Sequence, residues 1–216
     1  MIEFISHLYN LVPTVDYCEQ PTGHLIERPY YAISNFAFIV VGIVILLSNR
    51  KSPLAKAFGI AAVLVSVFSF VYDSTYSYLF QLFDVAGMYI LVTMLIFLNL
   101  KRLKIEVPKI YRWLLIIISL IMFYFLKGEA GNVIFGFFVV SIIVSEWLNR
   151  ESSSRLDWFV AIALFVSGFG IWLLDATKIW CDPNGIFNGR FIFHLFEAAA
   201  IYYLFRYYQK LNHSQS

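Results

Sequence analysis

Charge is scarce in this chain. Its 216 residues hold only 16 basic and 14 acidic side chains, or 14%, where soluble domains carry about a quarter. With 60% apolar residues and a mean hydropathy of +0.73, that deficit excludes a soluble enzyme, a disordered chain and a nucleic-acid binder. The net charge of +2 points to no polyanionic partner. Proline is also sparse, and all six prolines (13, 21, 29, 53, 108, 183) fall between or before the apolar runs, so none breaks a helix. Strands of alternating polarity are missing, which excludes a transmembrane β-barrel. Internal repeats and low-complexity stretches are missing too. The first thirty residues lack the basic start, apolar core and small-residue cleavage site of a signal peptide.

What is present is long and apolar. Seven runs approach the ~20 residues a membrane-crossing helix needs: 32–48, 54–71, 79–100, 111–126, 133–148, 158–175 and 191–208. The sequence therefore predicts an all-α polytopic membrane protein with seven transmembrane helices. The residues between them assign its orientation. Arg50, Lys51, Lys56, Lys101, Arg102, Lys104, Lys109, Arg112, Arg150, Arg155, Arg206 and Lys210 fall on one side, and only Arg28, Lys127, Lys178 and Arg190 on the other. Basic loops stay in the cytoplasm, so the C-terminus is predicted inside and the N-terminus outside or lumenal. The expected membrane is a bacterial inner membrane or one of the ER/Golgi type. One domain is expected over 1–216, with an external segment at 1–31, carrying a surface helix near 2–11, and a cytoplasmic tail at 209–216.

There are just two cysteines, Cys18 and Cys181. Both fall on the external side, where disulfides persist. Either they are bonded, tying the N-terminal segment to the loop before the last helix, or they are separate buried thiols.

Ionisable residues inside membrane helices cost at least ~2.5 kcal/mol at mid-bilayer and are functional candidates for that reason. Seven polar residues lie towards the external helix ends: Ser69 and Asp73 at i and i+4, Asp84, Asp175, and then Arg190, His194 and Glu197 on one face of the last helix. They read as a pocket, as charges at headgroup level, or as a buried Asp73–Arg190 pair joining two helices.

Four stretches around these residues resemble the alkaline ceramidases and their bacterial relatives, in the superfamily of the adiponectin-receptor-like membrane hydrolases. The first is Asp16-Tyr-Cys-Glu19 with Arg28-Pro29 and Ser34-Asn35, similar to the family's D-W-C-E segment and the S-N after it. The second is Ser69-Phe-Val-Tyr-Asp73, where the family has Ser-x-x-x-His. The third is Gln81-Leu-Phe-Asp84. The fourth is Trp172-Leu-Leu-Asp175 with Cys181, followed by Arg190-Phe-Ile-Phe-His194, where the family has His-x-x-x-His.

The resemblance implies a seven-helix fold with Zn²⁺ held by three His near one membrane face, a Ser and an Asp beside it, and a ceramide-type lipid amide as substrate. It also implies bonded cysteines and, in some members, a Ca²⁺ site on the N-terminal segment. Carried over, Ser69 would hold the oxyanion and Asp84 would act as base, with Gln81 and Asp175 behind them. Asp16, Glu19 and Glu27 would offer oxygens to Ca²⁺, although Pro21 stands where the family has Asn. The departures are Asp73 and Arg190 in place of two zinc-binding His, with His194 kept. A rebuilt zinc site would take Asp73, His194 and either Asp84 or Glu197. Arginine has no lone pair to give, so the other reading is that the Arg190 cation replaces the metal and pairs with Asp73. The expected function is lipid-amide hydrolysis, with Arg190 and His194 as catalytic groups if the metal is absent. The alternative is a degenerate, metal-free member that binds a lipid or a protein partner.

Overall fold

A computed structural model describes residues 2–126, 129–149, 155–183 and 185–214, whose regular secondary structure is all helical. Lys127 and Arg150, counted above for orientation, lie outside the described residues. In chain order the helices are α1 (Ile2–Asn10), α2 (Pro29–Ser34), α3 (Phe36–Ser48), α4 (Pro53–Thr75), α5 (Tyr78–Arg102), α6 (Lys109–Leu126), α7 (Glu129–Asn149), α8 (Arg155–Ala176) and α9 (Gly189–Ser214).

Five apolar stretches are long enough to cross a membrane: Pro29–Ser48, Pro53–Thr75, Tyr78–Arg102, Lys109–Leu126 and Arg155–Ala176. This is the pattern of a polytopic membrane protein, with five such spans among the described residues where the sequence predicts seven. α7 offers the shorter apolar stretch Val133–Asn149. In α9 the apolar run is interrupted by Arg190, His194, Glu197, Arg206 and Lys210. The first predicted helix is two: α2 and α3 meet at Asn35.

The chain divides into two units, one of residues 1–81 with 152–216 and one of residues 82–151. In the first, α3 packs on α4, and α8 on α9, while α2 and α3 also meet α9. Sequence explains each approach. Gly42 and Gly59 let α3 and α4 close until a Cβ on either would stand 2.9 Å from the other's carbonyl oxygen, the small-residue contact membrane helices favour. Ser52 caps α4, accepting the Ala55 N–H at 3.4 Å, with Pro53 in the first turn. At the far end Tyr76 turns the chain with φ +46°. Asp157 of α8 pairs with Arg206 at 3.6 Å and Lys210 at 2.6 Å on α9. Gly168 and Gly189 let the same two helices touch along their length.

In the second unit, α6 packs on α7. Asn99 of α5 donates to the Ser145 hydroxyl of α7 at 3.0 Å, and Arg102 pairs with Glu146 nearby. The Tyr89 ring lies 5.2 Å from that of Phe138.

Candidate functional site

The polar core of the first unit is built on Asp73, one turn above the buried Ser69 on α4. Its carboxylate is fully buried. Oδ1 lies 3.0 Å from Arg28 Nη2 and 3.3 Å from Arg190 Nη2, and Oδ2 accepts from Asn35 Nδ2 at 3.0 Å. The Asp73–Arg190 contact weighed from the sequence is present, and a second arginine joins it.

Backbone geometry puts Arg28 there. The Arg28 N–H donates to the Asp73 carbonyl at 3.1 Å and the Glu27 N–H to that of Ser74 at 3.0 Å, so the end of the N-terminal segment is laid along the last turn of α4. Pro29 then starts α2. The Arg28 guanidinium carbon sits 4.5 Å from the Tyr76 ring centre and 4.8 Å from that of Tyr72, and the Arg190 carbon 4.2 Å from that of Tyr17. Aromatic faces hold guanidinium cations well when water is excluded.

A second carboxylate organises the chain around this cluster. Asp175, at the end of α8, accepts from the Tyr31 hydroxyl (2.8 Å), the Cys18 N–H (3.1 Å) and the Arg190 N–H (2.9 Å). Cys18 is bonded to Cys181, with Cα atoms 5.3 Å apart. The disulfide therefore joins the N-terminal segment to the loop before α9, the first of the two arrangements left open above. Glu19 accepts the Tyr30 and Tyr31 N–H groups at 2.8 and 2.9 Å, and its own N–H donates to the Tyr31 hydroxyl. Burial pushes the Glu19 carboxyl above its ordinary 4.5, against the pull of those two donors.

The remaining candidates separate. The Ser34 hydroxyl meets the Tyr31 carbonyl at 2.7 Å and His194 Nδ1 at 2.6 Å. One hydroxyl has one proton, so Ser34 donates either to the Tyr31 carbonyl or to Nδ1, and the His194 tautomer sets which. Glu197 faces α8, its Oε1 buried without a hydrogen bond and 3.2 Å from where a Cβ on Gly168 would stand. Gln81 accepts the Thr14 N–H at 3.0 Å and donates to the Thr14 hydroxyl at 2.9 Å, which anchors the N-terminal segment. Asp84 is buried in α5 within the second unit.

These positions correct the expectation of metal. Among the described residues no group of three or more His, Cys, Asp or Glu side chains could hold a metal ion. Asp73, His194 and Glu197, with or without Asp84, therefore do not form the rebuilt zinc site. The reason lies at Asp73, whose oxygens are taken by two guanidinium groups and an amide, all donors. The carboxylates expected to offer oxygens to calcium have partners within the protein. The Lys178 hydrogen bond holds the Asp16 carboxyl below its ordinary value, Glu19 is turned onto the first turn of α2, and Glu27 accepts the Gly23 N–H at 2.8 Å.

Residues 12–216 match the family model described as Ceramidase. The chain belongs to the ceramidase family. No curated protein matches it. In this ceramidase-family chain Arg28, Ser34 and Asn35 have a part in the resemblance read from sequence and no part in the site expected there. Their signal was available: Arg28 is one of only four basic residues on the charge-poor side, and it directly precedes a helix-starting proline. Tyr17, Tyr31 and Tyr72, whose rings surround both arginines, carried no such signal among 14 tyrosines.

Proposed function

We propose that this ceramidase-family protein is a metal-free membrane protein that binds a lipid at the external ends of its helices and does not hydrolyse it. The observation behind this reading is Asp73. Two buried guanidinium groups occupy the carboxylate that a metal would need, and two unit positive charges there take over the electrostatic part a divalent cation would play. The fold proposed with it has seven membrane helices, α7 and α9 included, with the N-terminus outside and the C-terminus in the cytoplasm. The basic residues collected on the opposite side support this orientation, as does a disulfide between Cys18 and Cys181, which persists in oxidising compartments.

Elemental analysis of the purified protein, with a short-chain fluorescent ceramide assay, tests the reading. Much less than one zinc per chain and no hydrolysis at any pH are expected. One equivalent of zinc that disappears in both Asp73→Ala and His194→Ala, together with ceramide cleavage, would overturn it.

A further inference from the structure

We propose that Arg28 and Tyr72 form a binding site for a phosphate group, carried by a lipid headgroup or free in solution. The proposal rests on the metal-free reading above, because a cation at Asp73 would displace the guanidinium groups. The core of the first unit holds two buried cations, Arg28 and Arg190, and both lean on the single carboxylate of Asp73. Of the other nearby carboxylates, Asp175 spends its oxygens on a tyrosine hydroxyl and two backbone N–H groups, and Glu19 spends its own on the Tyr30 and Tyr31 N–H groups.

Donors are left over. Nη2 of Arg28 leans on Asp73 and the guanidinium also interacts with the Tyr72 hydroxyl, but no donor of this side chain, which is 0% exposed, makes a well-aligned hydrogen bond. Neither does the Tyr72 hydroxyl, nor the Ser74 hydroxyl next to Asp73. Buried polar groups of this kind are satisfied in native proteins by protein, water or a bound ligand. The surplus consists of a guanidinium and two hydroxyls, so the missing partner is an acceptor carrying negative charge. A guanidinium fork fits phosphate oxygens in pairs, and the number of donors suits a phosphate better than a carboxylate. Between Arg28 and the outside stands one side chain. The ring of Tyr76 covers Arg28 at 4.5 Å, it is partly exposed, and its backbone holds φ +46°. A bulky residue in that conformation is strained, and such strain gathers at binding sites.

The test uses the full-length protein in a maltoside detergent, which contributes no phosphate. Inorganic phosphate and dihexanoyl phosphatidate are titrated at constant ionic strength, with binding read from intrinsic fluorescence. Tyr72→Phe keeps the ring and removes only the hydroxyl, so ligand-free melting is expected to stay put while binding weakens about tenfold, the scale of one hydrogen bond to a charged group. Binding of phosphatidate alone assigns the site to a headgroup, and binding of both assigns it to the phosphate itself; either supports the proposal. A wild type that binds neither, or a Tyr72→Phe variant that binds as tightly, overturns it and leaves water as the partner of these donors. Failure here in a zinc-free protein leaves the metal-free reading intact, whereas zinc in the elemental analysis removes that reading first.

Discussion

Replacing Asp73 by Asn changes one charge and almost no volume. Asp73 is the carboxylate both buried arginines lean on, with side-chain exposures of 0% for Asp73 and Arg28 and 4% for Arg190. Removing one partner of a buried ion pair typically costs about 3–5 kcal/mol, because the other charge is stranded in low dielectric. An amide cannot adapt to this position. If its oxygen faces the guanidinium groups, its NH₂ meets the Asn35 NH₂, which is already donating to the Tyr31 carbonyl at 3.0 Å. If its oxygen faces Asn35, its NH₂ points at two cations. Against a total stability of about 5–15 kcal/mol, the loss is large, and for a chain of this size it lowers the unfolding midpoint on the order of 10 °C. Thermal unfolding in detergent, followed by circular dichroism, measures it. A double-mutant cycle with Arg190→Gln isolates the pair. Because Arg28 is still stranded in Asp73→Asn/Arg190→Gln, the double variant recovers only part of the loss. An Asp73→Asn midpoint within about 1 °C of wild type, or no coupling to Arg190, would refute the argument that this cluster holds the unit together.

Two further outcomes follow from other contacts. Gly168→Ala brings a Cβ within 2.9 Å of Phe196 Cβ and 3.2 Å of Glu197 Oε1, so it should destabilise by about 1–3 kcal/mol; Gly170→Ala on the same helix, with nothing within 4 Å, should instead stabilise by about 0.5–1 kcal/mol, and paired denaturation curves read both signs. Glu19 has a carboxyl pKa raised above 4.5 by burial, so its contribution to stability is complete below that value and is lost as pH rises through the folded pKa; Glu19→Gln should flatten this decline in a pH series of unfolding midpoints, and an unchanged slope would show that the group does not titrate there.

Much of the architecture can be read from periodicity alone, because an apolar run of ~20 residues has few stable alternatives in a bilayer. The Asp73–Arg190 contact was legible too, since lone charges inside apolar helices need partners. Arg28 was not. Its position follows from two backbone hydrogen bonds to the end of α4, a contact between residues about 45 positions apart that no local pattern encodes. The zinc expectation failed for a related reason. Counting ligand-type residues at similar depth says nothing about which of them a neighbouring cation has already claimed. Gln81 is similar, because a glutamine four residues into α5 gives no sign in the sequence that it faces Thr14.

The disulfide sets a schedule for making this protein. Cys18 and Cys181 are 163 positions apart, so ribosomes add that many residues after the first thiol before the second exists. Arg28 meets Asp73 early, as soon as α4 is delivered, but the Asp175 carboxylate and the Arg190 guanidinium lie beyond α7 and arrive much later. Until then the N-terminal segment waits with one unpaired thiol. A nascent chain that stalls before residue 181 therefore carries a reactive cysteine that a finished one does not, a chemical tag by which a folding compartment can tell the two apart.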